Sequence, residues 1–231
     1  MGEAFRLLRT ADPELWSIIG RSLLFSASAV LLAAIPGIPC GIAIGWKPGG
    51  FRHWLASIVH ALSAVPTVVI GLFVYGLLSR TGPLGFLGML YTPAAVILGQ
   101  IFLALPLLVS FIAGGFSSID PRFRETLETH AIPPIAAFSL ALREARPMIT
   151  TAVAMAFSRV IGEVGVAMML GGNIRGLTRT MTTAIALDTS RGEFERAVAL
   201  GIVLLAVALV MNMLIHWSSQ TLPASVRRNP Q

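Results

Sequence analysis

The amino-acid sequence predicts an all-α membrane protein with five transmembrane helices. Of its 231 residues, 55% are hydrophobic and 12% are charged, whereas soluble globular domains carry about 25% charged residues. Uncharged runs longer than the roughly 20 residues that cross a bilayer core are found at residues 22–46, 53–79, 81–119 and 197–226. A fifth apolar segment, residues 148–172, is interrupted only by Arg159 and Glu163. The count is therefore five spans.

The predicted elements follow one another along the chain with polar connections. A polar arm, residues 1–14, precedes a membrane domain at 15–217, and a polar tail covers 218–231. The second span, about residues 54–78, contains Pro66. Membrane helices tolerate an internal proline when neighbouring groups satisfy the freed carbonyl, so we expect one continuous span there.

Charge is concentrated between the third and fourth spans. Residues 120–147 hold eight of the 28 charged residues, which are 17 Lys and Arg and 11 Asp and Glu. A helix over residues 123–131 would be short and amphipathic, and Pro133 and Pro134 would end it because proline lacks an amide donor. One side of this helix would carry Phe123, Leu127 and His130. Two short helices around a turn fit either a protrusion that docks in a groove of another protein or an interfacial helix on the lipid surface.

No nucleotide-binding or catalytic motif is recognisable. A P-loop needs Gly-x4-Gly-Lys-Ser/Thr, but Lys47 is the only lysine and Trp46 precedes it. The serines lack the Gly-x-Ser-x-Gly context of a hydrolase nucleophile. The four histidines are far apart and Cys40 is the single cysteine, so no metal site is predicted. We expect no enzymatic activity and no cofactor in this chain.

The positive charge fits a membrane surface better than a nucleic-acid partner. The net charge is +6, but the arginines are scattered along the predicted loops and no basic run occurs. Arginine is frequent where loops meet the bilayer. The expected partner of these arginines is therefore the lipid bilayer and not a nucleic acid.

Arg159 and Glu163 are the two charged residues inside the fourth predicted span. Each costs about 2.5 to 3.5 kcal/mol at the centre of a membrane helix on insertion scales. Their spacing of four residues lets them neutralise each other on one helix face. One interpretation is an ion pair that fixes this span to its neighbours. The other is a polar lining of a substrate path, or a hinge.

The sequence ETLETHA resembles the cytoplasmic loop of ABC importer permeases in which Glu-Ala-Ala is followed after three residues by Gly. Glu125 stands at the glutamate position, Thr126 and Leu127 stand for the alanines, and Ala131 stands for the glycine. The resemblance implies that residues 120–147 form the coupling loop, which sits in a cleft of the ATPase subunit. Arg124 and Glu125 would then meet polar groups of that subunit.

Longer segments resemble permeases of the tungstate importer family, whose close relatives carry molybdate. They are VPTVVIGL, GPLGFLGMLYTPAAVILGQIFLALPLL, REARPMITTAVAMAFSRVIGEVGVAMMLGGNI and TRTMTTAIALDTSRGEFERAVALGIVLL, and the similarity covers roughly residues 15–217. It implies a five-helix permease that works as a homodimer, with the N-terminus outside and the C-terminus in the cytoplasm. The implied partners are a cytoplasmic ATPase that binds ATP and Mg, and an extracytoplasmic oxyanion-binding protein. Lys and Arg divide evenly between the two sides of this topology, so the positive-inside rule does not test the orientation.

The stretch GGNIRGLTRTMTT after the fourth span is the candidate lining of the outer mouth. A path for a dianion needs hydrogen-bond donors with little fixed positive charge, because otherwise the ion binds too tightly to leave. The candidate residues are Gly171, Gly172, Asn173, Thr182 and Thr183. The four arginines of this region would steer an oxyanion toward the entrance or contact an acidic surface of the binding protein. An ordinary polar loop is the alternative.

Other functions fit parts of the sequence. Molybdate is the first alternative substrate, and sulfate and phosphate are more distant ones. A proton-coupled secondary transporter would use Glu163 as its relay, although no inverted repeat is visible. An intramembrane hydrolase would need a serine or aspartate dyad, and the predicted spans contain no aspartate.

Overall fold

The computed structural model describes residues 12–46, 49–117, 119–130 and 132–220, and these residues contain helices but no strand. The described part of the chain forms ten α-helices. They are α1 Pro13–Gly45, α2 Gly50–Ser63, α3 Thr67–Leu78, α4 Pro93–Ser117, α5 Pro121–Thr129, α6 Pro134–Glu144, α7 Arg146–Ile161, α8 Gly165–Gly171, α9 Met181–Ser190 and α10 Phe194–Gln220. The predicted all-α membrane fold is confirmed. The predicted arm and tail lie mostly outside the described residues.

Three helices are long and apolar enough to cross a membrane by themselves, namely α1, α4 and α10. The pairs α2 with α3 and α7 with α8 meet the same criterion only when each pair is taken together. Five spans result if each pair counts as one, which is the number that the sequence predicts. All five predicted apolar segments coincide with one of these helices or pairs.

The second and fourth spans are both broken, so the expectation that the second span is continuous is wrong. The axes of α2 and α3 differ by 94°, and those of α7 and α8 differ by 62°. Pro66 directly precedes α3. Because proline lacks an amide donor and disfavours helical backbone at the preceding residue, the chain turns at this position. The second break begins at Gly162, the C-terminal cap of α7.

Glycines bring α1 and α4 into close contact. Gly37, Gly41 and Gly45 recur every four residues and face α4. A Cβ atom added at Gly41 would lie 2.7 Å from the Cβ atom of Ile112, and one at Gly45 would lie 2.7 Å from the carbonyl oxygen of Ala113. Small residues permit such close packing in membranes, where dispersion contacts take over from the hydrophobic effect.

The loop between α4 and α7 contains the two short helices that the sequence predicts. Helix α5 ends at Thr129, and Pro133 caps the start of α6. Leu127 is buried, and Phe123 packs against the main apolar core. Helix α6 leaves Ile135 and Phe138 exposed. The apolar side of α5 therefore attaches the loop to the membrane helices.

Candidate functional site

The two broken spans meet at their breaks. A Cβ atom added at Gly165, the first residue of α8, would lie 3.5 Å from Cγ2 of Val68 and 3.7 Å from Oγ1 of Thr67. Thr67 is the first residue of α3. The starts of both half-helices are therefore adjacent, and each directs the positive end of its backbone dipole toward the same region.

Glu163 lies in the second break and holds its two sides together. Its Oε2 atom accepts a hydrogen bond from Nη1 of Arg159 at 2.9 Å, and its Oε1 atom accepts from the amides of Gly165 at 2.9 Å and Val166 at 3.4 Å. Oγ1 of Thr182 donates to the backbone carbonyl of Glu163 at 2.8 Å. The same residue therefore joins α7, α8 and α9.

The predicted contact between Arg159 and Glu163 is present, but its two members differ in environment. The side chain of Glu163 is 5% exposed, whereas that of Arg159 is 47% exposed. The sequence indicated the pair through its spacing. It did not indicate that the carboxylate also accepts from the first amides of α8, because the break that frees these amides was not predicted.

The segment from Gly171 to Asn173 makes a tight turn after α8. The φ angle is +66° at Gly172 and +51° at Asn173, a region that favours glycine and that asparagine tolerates. A Cβ atom at Gly171 would lie 2.7 Å from Cγ2 of Val96. Nδ2 of Asn173 donates to the carbonyl of Thr183 at 3.3 Å.

Thr182 and Thr183 are buried, and their hydroxyls bond within the chain. The Oγ1 atom of Thr183 accepts from the amide of Thr180 at 2.9 Å, and the two residues form a capping box at the start of α9. Of the five candidate path residues, Gly172 is exposed and Asn173 is half-buried. That this segment lines a path remains a prediction.

Three of the four arginines near this segment converge on Glu14, in the first turn of α1. Glu14 accepts from Nε of Arg175 at 2.7 Å and forms an ion pair with Nη2 of Arg196 at 2.9 Å. Nη1 of Arg179 is 3.8 Å from the same carboxylate. Sequence reasoning missed this cluster because Glu14 and Arg175 are 161 positions apart. The arginines are therefore partly neutralised at the start of α1.

Asp188 is linked to this cluster through Arg196, which also contacts Glu14. Nε of Arg196 is 3.6 Å from the Oδ2 atom of Asp188. Burial raises the pKa of the Asp188 carboxyl above its usual value, and the nearby Arg196 opposes this shift only in part. Ionising Asp188 in the folded chain therefore costs free energy.

The predicted coupling residues lie on or near α5. The side chains of Glu125 and Thr126 are exposed, whereas that of Leu127 is buried. Arg124 belongs to the same helix, and Ala131 lies outside the described residues. Leu127 thus anchors α5 to the chain, and the exposed Glu125 is free to meet a partner. Among the described residues no group of three His, Cys, Asp or Glu residues is placed to hold a metal ion.

Two broken spans that meet at their breaks are typical of membrane transport proteins, whose substrate sites are formed by interrupted helices. The chain belongs to the family of binding-protein-dependent transport system inner membrane components, whose family model matches residues 37–227. This assignment confirms the resemblance to importer permeases.

Named relatives cover most of the chain. It is 36% identical over 213 residues to the tungstate uptake system permease protein TupB of Peptoclostridium acidaminophilum, covering 92% of this chain and 93% of that protein. It is 31% identical over 186 residues to the molybdenum transport system permease protein ModB of Azotobacter vinelandii, covering 75% of this chain and 80% of that protein.

A solved structure has the same fold. A chain of the MetNI methionine ABC transporter, in an inward-facing conformation, matches with a TM-score of 0.69. The match covers 93% of this chain and 99% of that chain at 15% identity. At this level of identity the match establishes the fold alone.

Proposed function

We propose that the chain is the transmembrane subunit of an ABC importer that carries tungstate across the cytoplasmic membrane. The similarity to the tungstate permease supports this substrate, since it extends over nearly the whole of both chains. Molybdate is the second candidate, because the molybdenum permease is also related but shares fewer residues over a shorter stretch.

The exposure of residues at the two breaks is the observation that carries the transport role. Ala64, Pro66, Gly162 and Val164 are exposed, although each lies in a break within an apolar pair of helices. Irregular backbone at membrane depth is tolerated only where protein covers it or water surrounds it, because lipid offers no hydrogen bonds. The face that carries both breaks therefore opposes a second copy of the chain, an aqueous path, or both.

A homodimer with a path between its copies satisfies this requirement. Each copy supplies half of the lining, and the breaks bring backbone groups toward the oxyanion without adding side-chain charge. Glu163 then serves the path indirectly by fixing the start of α8. This role differs from that of a proton relay, which needs a carboxyl that exchanges protons during each cycle.

The remaining partners follow from membership of the importer family. A separate ATPase subunit binds ATP and Mg and contacts the loop at residues 120–147, with Arg124 and Glu125 at the contact. An extracytoplasmic protein captures the oxyanion and delivers it to the opposite end of the chain, near Glu14. The N-terminus then lies outside and the C-terminus in the cytoplasm.

Uptake by the reconstituted complex tests this proposal. The permease is placed in liposomes with its ATPase subunit and its binding protein. Uptake of radioactive tungstate is measured with and without ATP, and with molybdate as competitor. We expect uptake that requires ATP and that molybdate inhibits less well than unlabelled tungstate. Uptake driven by a proton gradient without the ATPase would refute the importer assignment.

Glu125→Lys tests the coupling role of α5. The exposed side chain makes reversal of its charge harmless to folding, but the proposed contact with the ATPase should weaken. We expect normal insertion of the variant, loss of ATPase from the purified complex, and at least a tenfold fall in uptake. Glu193→Lys is the control for ATPase copurification, since Glu193 is also exposed but lies outside the loop, and this variant should keep the ATPase in the purified complex. Unchanged copurification and uptake of Glu125→Lys would remove the loop from the interface.

A further inference from the structure

A cavity of about 790 Å³ lies between the end of α1, helix α2 and the second half of α4. It extends to Ser117, the last residue of α4, and so opens at the end of the bundle from which the loop with α5 and α6 emerges. Its polar lining comes from Arg52, His53, Ser57, His60, Ser110 and Ser117. Among the described residues that line it, none is acidic.

Arg52 carries an unsatisfied donor at this cavity. Its Nη1 atom is enclosed and has no hydrogen-bond partner in the described part of the chain. An enclosed donor without an acceptor is unfavourable, and more so when it is charged. Arg52 lines the cavity, and a ligand that brings a negatively charged oxygen there would offset this cost once the guanidinium turns Nη1 toward it.

The other polar groups of α2 are arranged around the same space. His53, Ser57 and His60 recur at intervals of four and three residues and so share one face of the helix. Nδ1 of His60 is 3.1 Å from Oγ of Ser110 on α4. The hydroxyl of Ser57 donates to the carbonyl of His53 at 3.0 Å. The contact between His60 and Ser110 leaves one of them, through Nε2–H or the hydroxyl, to add a donor to the guanidinium.

The opposite side of α2 is apolar and unburied. Phe51 and Trp54 are exposed, and their rings stack with centroids 6.1 Å apart. Aromatic side chains of this kind sit at the level of lipid headgroups. A cationic cavity bordered by an aromatic pair at the end of the membrane helices matches the surroundings of a phospholipid headgroup.

We infer that this cavity binds a tetrahedral oxyanion group, with Arg52 as the principal donor. Basic pockets between membrane helices bind the headgroups of anionic lipids, and the phosphodiester of such a lipid is one source of the group. A free tetrahedral oxyanion is the other source. The apolar surface of α2 favours the lipid, because it offers contact to acyl chains beside the cavity.

Binding to the purified full-length permease, without the ATPase, tests the inference independently of transport. The protein is held in dodecylmaltoside, and its thermal unfolding is followed with added dioleoylphosphatidylglycerol, dioleoylphosphatidylcholine, sodium tungstate or sodium phosphate. We expect phosphatidylglycerol to stabilise the permease and phosphatidylcholine to have little effect. Arg52→Gln should weaken phosphatidylglycerol binding about tenfold, as the loss of one charge-assisted contact implies.

Two further variants keep the result interpretable. Arg146→Gln removes an exposed arginine at the same end of the bundle, outside the cavity, and should leave binding unchanged. Ser57→Phe places a large side chain in the cavity while Arg52 is retained, and it should weaken binding as Arg52→Gln does. If Arg52→Gln does not fold, Ser57→Phe still tests whether the lipid binds in this cavity.

The four added compounds distinguish a lipid headgroup from a free oxyanion as the ligand, and they also show whether the inference fails. Stabilisation by tungstate or phosphate that requires Arg52 and competes with phosphatidylglycerol would assign the cavity to a free oxyanion. The inference would be overturned if the permease bound both lipids equally. It would also be overturned if the wild type, Arg52→Gln and Ser57→Phe bound phosphatidylglycerol equally and neither salt had an effect.

Discussion

Substitutions of Glu163 test whether its carboxylate stabilises the fold or takes part directly in transport. Glu163→Leu removes the acceptor for the amides of Gly165 and Val166 and for Arg159. Loss of the cap at Gly165, whose amide is partly buried, costs about 0.5 to 2 kcal/mol, and leaving the buried amide of Val166 without a partner costs about 1 to 3 kcal/mol. The expected loss in the free energy of unfolding is therefore about 1.5 to 5 kcal/mol.

Glu163→Gln should be much milder. Glutamine keeps an oxygen for the two amides and loses only the charged contact with Arg159. The side chain of Arg159 is 47% exposed and lies next to the break, on the side of the proposed aqueous path. Contacts of charges exposed to water contribute about 0 to 1 kcal/mol. Arg159→Met should be similarly mild, because Glu163 keeps its two amide partners.

Thermal unfolding in detergent and ATP-dependent uptake in liposomes, measured on the same preparations, distinguish the roles. The leucine variant should unfold lower by on the order of 10 °C, whereas Glu163→Gln and the double variant with Arg159→Met should stay near the wild type and retain uptake. Equal destabilisation by leucine and glutamine would refute the capping argument. A stable Glu163→Gln without uptake would instead make the ionisable carboxyl itself part of transport.

The remaining predictions concern helix contacts and charge. Glu14→Gln should cost about 1 to 2 kcal/mol at low salt and less at high salt, since screening already weakens the arginine contacts; unfolding at two NaCl concentrations, with the exposed Glu193→Gln as control, checks this. Gly41→Ala should lower the unfolding temperature, because its Cβ atom would lie 2.7 Å from the Cβ atom of Ile112. Overpacking of this kind costs about 1 to 3 kcal/mol. Gly20→Ala on the same helix is the control, since its Cβ atom meets nothing within 4 Å and the change should be neutral or stabilising. Burial raises the pKa of Asp188, so its contribution to stability is complete below the unfolded value of about 3.9 and falls as pH rises through the folded value. Asp188→Asn should therefore gain stability over the wild type between pH 4 and 7, and an advantage of the wild type that grows with pH would contradict this.

Features set by neighbouring residues could be predicted from the sequence. The apolar runs gave the spans, Pro133 and Pro134 separated the two loop helices, and the spacing of Arg159 and Glu163 gave their contact. Each of these depends on residues a few positions apart, so helix geometry decides it without knowledge of the rest of the fold.

Features set by distant parts of the chain could not be predicted. Pro66 was visible, but whether a membrane helix bends slightly or turns by 94° depends on what surrounds it, and here the start of α8 lies beside the break. The contact of Glu14 with Arg175 joins the start of α1 to the turn before α9 and leaves no local pattern. Thr182 and Thr183 have the composition of a path lining, yet they are buried in the fold.

The close contact of α1 and α4 has a consequence for how the permease can move. With glycine at positions 37, 41 and 45, the backbone of α1 meets α4 directly, and α1 contributes no side chain at these positions that could absorb a sliding motion. We expect these two helices to move together as one rigid body, while the breaks beside Pro66 and Gly162 act as hinges. Spin labels placed on α1 and α4 should then keep one separation throughout the transport cycle, whereas labels on α2 and α3 should report each change of state.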